Sequence, residues 1–215
     1  MAPPNFVRVG GGLACILAGV LIALGQLTNV LGGAPDFRTS FGQNVVLLSY
    51  IAFVFAFVGL YAVLAERGGI LAQLGVVLGP IGATLLAANV FRALSVEHLG
   101  TLSEDFSEAA ISTLAVVLRS WSVYVIVGAL LFVIALVLFG IATLQVGVFP
   151  RWAGLLLIIG AALTFLAKAL HGIASLSQFT DAIAGVVTGA GVAWLGWELL
   201  SGRGQEPQQP ATRVR

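Results

Sequence analysis

Polar and charged residues along this chain fall into narrow intervals. Between them lie six apolar runs, near 9–31, 44–65, 69–94, 121–146, 153–176 and 180–200. A hydrocarbon core about 30 Å thick is crossed by roughly 20 residues of α-helix, so each run is long enough to span a bilayer. A β-barrel also satisfies every backbone group in lipid, but its strands alternate polar and apolar residues with period two. Ile51 to Leu60 and Gly128 to Gly140 do not alternate. The pattern predicts an all-α fold: a polytopic membrane protein whose six-transmembrane-helix bundle occupies residues 1–201. The polar tail that follows, 202–215, is rich in Gln, Pro and Arg and is expected to be disordered.

The connection from Leu94 to Ser120 is the longest between runs, and its first half is acidic. Thr101 and Glu104 have capping-box spacing, and Phe106, Ala110, Thr113 and Val117 would share one helical face. Residues 101–119 therefore form either an additional outer interfacial helix or an early start of the fourth span near Ala109.

Composition agrees with the pattern. With 59% hydrophobic and 9% charged residues, a soluble domain could not cover its surface with polar side chains. A net charge of +1 gives little footprint for nucleic acid, which is not an expected partner. Cys15 lies too early in the first run for a lipidated signal sequence, so that run reads as a retained helix. As the single cysteine it has no intramolecular disulfide partner, and it reads as a small buried hydrophobe.

Basic residues set the orientation, because Lys and Arg in short loops resist translocation. With both termini in the cytoplasm, the inner side holds Arg8, Arg67, Arg151, Arg203, Arg213 and Arg215, and the outer side receives most of the acids. Trp152 and Trp197 then fall at the inner interface, and Trp121 and Tyr124 near the outer one.

Polar residues within the runs carry the remaining information, since each is costly in hydrocarbon. Gln26 and Asn29, Asn89 and Arg92, and Lys168 and His171 are three apart and so share a helical face; Thr164 and Ser175 extend the last stripe. Helices one, three and five all run outward, which puts every pair in the outer half, and Asp181 opens the sixth helix at the same level. Gln26, Asn29, Asn89, Arg92, Lys168, His171 and Asp181 form the candidate ligand-binding cluster. Its cations and amides suit a small anionic or carbonyl-bearing ligand, or a lipid headgroup. In the competing reading Arg92 and Lys168 snorkel to the interface and the amides bond between helices.

Other chemistry finds little support. His98 and His171 could be read as haem ligands, but His98 lies in or beside a loop, and two His without a third ligand do not make a zinc site. Phosphate-cradling, His-Glu-x-x-His and Gly-x-Ser-x-Gly motifs are absent, and Asp181 and Glu198 fall at opposite ends of one helix. No catalytic residue, metal or cofactor is expected. Expected partners are membrane lipids, together with another membrane protein or a second copy of the chain. The leading reading is a non-catalytic accessory or lipid- or small-ligand-binding bundle, and the alternative is a small-solute transporter or channel. A membrane-embedded enzyme or haem protein ranks third. Transport needs a polar path, and the inner halves of the helices offer little beyond Thr84 and Thr188.

The glycines of Gly75-Val-Val-Leu-Gly79 and Gly185-Val-Val-Thr-Gly189 read as helix-packing devices inside the bundle, and Pro80 as a kink in the third helix. Laying helices two and three on four and five puts Gly75 on Gly154, Ala83 on Ala162, Asn89 on Lys168 and Arg92 on His171, a parallel internal repeat. The stretch from Leu138 to Gly154, with its Gly147-Val-Phe-Pro-Arg-Trp152 turn, resembles small multi-helix bacterial membrane proteins of the uncharacterised DUF4386 kind, over about two helices. The resemblance implies a bacterial inner membrane and brings no activity with it.

Overall fold

The computed structural model describes residues 5–31, 35–65, 68–101, 122–147, 149–169 and 174–202. These form six α-helices: α1 (Asn5–Leu31), α2 (Pro35–Leu64), α3 (Gly69–Thr101), α4 (Ser122–Val146), α5 (Arg151–Ala169) and α6 (Ala174–Ser201). Among the described residues there is no strand. Five stretches are long and apolar enough to cross a membrane: Phe6–Val30, Phe41–Leu64, Gly69–Ser95, Val123–Val146 and Gln178–Ser201. In α5 the apolar stretch Arg151–Ala167 is shorter. The whole of α5, 19 residues, is still about 28 Å long at 1.5 Å per residue.

The helices outrun the apolar runs at one end of the bundle. α2 opens on Pro35, whose fixed φ and missing N–H suit a first helical turn, and so begins well before the run at 44. α3 continues to Thr101 and carries the backbone of His98 within the helix, where a loop was expected. The expected fifth span, 153–176, divides: α5 ends its description at Ala169 and α6 begins at Ala174. Polar residues Ser175, Ser177, Gln178 and Thr180 disguise that start. α3 runs unbroken through Pro80. At the other end, Gly147 (φ +65°) and Gly202 (φ +70°) take the left-handed conformation that closes α4 and α6. The expected outer segment beyond Thr101 and the tail beyond Gly202 lie outside the described residues.

Each helix packs on its sequence neighbours, and α6 packs on α1, so the six form a closed antiparallel ring. Small residues set the seams. A Cβ on Gly11 would lie 2.5 Å from Gly59 Cα, joining α1 to α2 through bare backbone. Gly75 meets Phe139 and Gly79 meets Phe57, while Gly185 and Gly189 meet α1. Both glycine pairs expected from spacing therefore serve packing within the chain. Lipid gives helices no hydrophobic drive to associate, so such close approach supplies the van der Waals contact that holds them.

Among the described residues, apolar side chains pack into the middle of the ring. Phe53 and Phe57 of α2 meet Phe132 and Phe139 of α4 over the glycines of α3, with Phe53–Phe132 edge to face at 5.0 Å and Phe57–Phe139 stacked at 5.4 Å. Leu60, Leu136, Leu157 and Leu195 fill the space around them, all fully buried. The internal repeat is visible here: Phe53, Ala56, Phe57, Leu60 and Leu64 are buried in α2, as are Phe132, Ala135, Leu136, Phe139 and Thr143 at the matching positions of α4. α3 and α5 do not keep that offset, since Ala83 is buried while Ala162 is exposed. A slip of one residue restores the match, setting Gly82 on Gly160 and Ala83 on Ala161, and it removes the pairing of Asn89 with Lys168.

Candidate binding site at one end of the ring

α1, α3 and α5 end, and α2, α4 and α6 begin, at the same end of the ring, and of the candidate polar residues Gln26, Asn29, Asn89, Arg92 and Asp181 are described on these helix ends. Three helices build the best-defined part. Asn29, near the end of α1, lays its side-chain amide against Gly42 of α2. A Cβ on Gly42 would overlap that amide and stand 2.8 Å from Thr28 Oγ1, so glycine is required for the fit. The Oδ1 of Asn29 is shielded from solvent and has no hydrogen-bond partner among the described residues. One turn earlier, Gln26 packs its stem on Gly185 of α6, where a Cβ would lie 2.6 Å from Gln26 Cγ.

Asp181 stands two turns before Thr188 on α6, on the face that also carries buried Val192, Leu195 and Leu199. Its carboxylate acts electrostatically on Tyr50 of α2. The Tyr50 ring packs edge to face on Phe132, centroids 5.7 Å apart, and so begins the aromatic column. Pattern reading missed Tyr50 because an aromatic residue in an apolar run looks like core. The signal was Ser49-Tyr50, a polar pair inside the second apolar run.

On α3, Asn89 Oδ1 accepts from Arg92 Nε at 3.3 Å and from Nη2 at 3.2 Å. The expected pair is thus a fork within its own helix, in which Asn89 holds the guanidinium. Neighbouring hydroxyls also bond inward: Thr164 donates to Gly160 O at 2.8 Å, Thr180 to Leu176 O at 2.8 Å and Thr28 to Gly25 O at 2.9 Å. These hydroxyls are saturated as donors and serve the helices. Lys168 belongs to α5 by its backbone, with its side chain outside the described residues, and His171 lies outside them altogether. No group of three or more potential metal ligands comes together among the described residues.

The opposite end of the ring differs. Arg8 of α1 reaches Gly202, its Nη1 3.8 Å from where a Cβ would sit, just past the last turn of α6. There a cation complements the negative end of the helix dipole. Trp194 Nε1 donates to Glu198 Oε1 at 3.3 Å on the lipid-facing side of α6, and Trp152 and Trp197 are exposed. Within the spans, Thr143 and Thr188 are buried and their hydroxyls have no hydrogen-bond partner among the described residues, and Thr84 is exposed.

No curated protein and no solved structure matches the chain. The family model described as domain of unknown function DUF4386 matches residues 6–202, which is nearly the whole chain and far more than the two helices that carried the resemblance. The chain belongs to the DUF4386 family.

Proposed function

We propose that this protein is a non-catalytic binding bundle that crosses a bacterial inner membrane six times. Both termini lie in the cytoplasm and the polar mouth opens outward. Five apolar spans and the antiparallel course of α5 between α4 and α6 support the crossing number. The basic loops support the orientation.

The observation that carries the binding reading is Asn29 Oδ1, a buried acceptor without a described partner. Leaving such a group unsatisfied costs about 1–3 kcal/mol, which a ligand presenting a donor would recover. With Asp181 and Tyr50 close to the same axis, the favoured ligand carries a hydroxyl or ammonium group. It is either a free solute or a lipid headgroup. This moves the emphasis from an anion toward a donor, because Arg92 is already held by Asn89. The aromatic column below Tyr50 favours binding over passage.

Native mass spectrometry of protein released from its own membrane in mild detergent tests the reading. The parent is expected to carry a bound mass that is lost in Asn29→Leu and Asp181→Asn and kept in Phe165→Ala. A parent without bound mass, or equal retention in every variant, would contradict it.

A further inference from the structure

The outer wall of the ring carries a second concave surface, unrelated to the polar mouth. Between α1 and α2 lies an apolar groove of about 590 Å³. Its floor is made by Gly10, Gly11, Ala14, Ala52 and Gly59, where side chains are small or absent and the two backbones touch. Its walls are Phe6, Leu13 and Leu17 on one side and Phe55 and Val58 on the other, all exposed to the surroundings of the ring.

The extent of the groove identifies its occupant. On α1 it runs from Phe6 to Leu17, about 16 Å at 1.5 Å per residue, and stops near the middle of the Phe6–Val30 span. On α2 it occupies Ala52 to Gly59, the second half of Phe41–Leu64, which is the same half of the membrane. One leaflet of hydrocarbon is about 15 Å thick, half of a core of about 30 Å. A transmembrane helix crosses both leaflets and would leave half of its length off this groove, whereas an acyl chain matches it end to end. On α1 no residue beyond Leu17 lines the groove, and on α2 none before Ala52 does.

We propose that this groove holds one phospholipid acyl chain from the leaflet at the N-terminal end of α1, seated from the interface to the bilayer midplane. The chain fills a void that side chains leave, and its hold comes from packing against walls on both sides, since burial from lipid into protein brings no hydrophobic gain. A bound chain also covers the Gly11–Gly59 contact, where backbone meets backbone.

A phosphatidylcholine whose acyl chain carries a photoreactive diazirine near the terminal methyl tests this in vesicles of phosphatidylcholine. Labelled peptides are expected to concentrate in residues 6–17 and 52–59. Labelling there should fall several-fold in Gly10→Leu, whose Cβ meets nothing within 4 Å and whose side chain enters the groove. Ala52→Leu, filling the groove from the other helix, should do the same, and both variants should melt like the parent. Labelling spread evenly over the exposed faces of all six helices would overturn the proposal, as would labelling unchanged in both variants. Cross-linked dimers of the parent that disappear in Gly10→Leu would overturn it too, by naming a second copy as the occupant.

Discussion

Gly19 of α1 and Gly189 of α6 face each other across the seam that closes the ring, each carbonyl oxygen lying where the other residue's Cβ would stand. First and last helices meet here backbone to backbone, with only the methyls of Ala23 and Ala193 beside the contact. A leucine at either position must push the helices apart or deform them, and overpacking of this kind costs about 1–3 kcal/mol. Gly19→Leu and Gly189→Leu are therefore expected to lower the unfolding midpoint in detergent. Gly10→Ala, with open space around it, should leave it unchanged or raise it by up to about 1 kcal/mol. Equal effects at Gly10 and Gly19 would count against the closed ring.

Phe132 is the hub of the aromatic column, in ring contact with Tyr50, Phe53 and Phe57. Truncating such a side chain leaves a cavity, and Phe132→Ala should cost about 2 kcal/mol or more. Phe165 of α5 is 57% exposed to the surroundings of the ring, and Phe165→Ala should stay within about 0.5 kcal/mol of the parent. Denaturant titration of the two variants side by side makes the comparison.

Asn29 separates binding from scaffolding. If its amide holds α1 to α2, removing it should destabilise the protein. If Oδ1 waits for a ligand, Asn29→Leu should stabilise the unliganded protein by up to about 1–3 kcal/mol while abolishing binding. Gly42→Ala should lower both stability and ligand retention, because its methyl displaces the same amide. Melting of delipidated samples distinguishes the outcomes.

Arg8 and Gly202 offer a check at the opposite end. Arg8→Gln removes the charge from the C-terminus of α6 and should cost about 0.3–1 kcal/mol. Gly202→Ala puts a side chain into the left-handed conformation and should cost about 1–2 kcal/mol. A melting series at low and high salt should show the Arg8→Gln loss shrinking with ionic strength, and the Gly202→Ala loss indifferent to it.

The membrane-crossing cores of the helices were legible because lipid demands long unbroken apolar runs, and that demand is local. The starts of α2 and α6 were not, since residues 35–43 and 174–179 mix polar side chains into helix that projects beyond the core of each run. The glycine seams were legible as devices but not as addresses. Gly185 could be read as a packing residue, whereas its partner Gln26 is set by a contact between the two ends of the chain. At the site, Asn29 and Asp181 stood out as polar groups in apolar surroundings. Tyr50 and Gly42 did not, because nothing in their neighbourhoods along the chain says which residues of α6 and α1 they will meet.

The central claim is that the ring opens to water at one end only and is closed along its axis. Single cysteines in a Cys15→Ala background, labelled with a membrane-impermeant maleimide, test it most directly. Asp181→Cys, half-buried at the mouth, is expected to react on intact cells, and Thr188→Cys, buried mid-ring, is expected to remain unlabelled even after the membrane is permeabilised. Labelling of Asp181→Cys only after permeabilisation, or of Thr188→Cys from either side, would contradict the account.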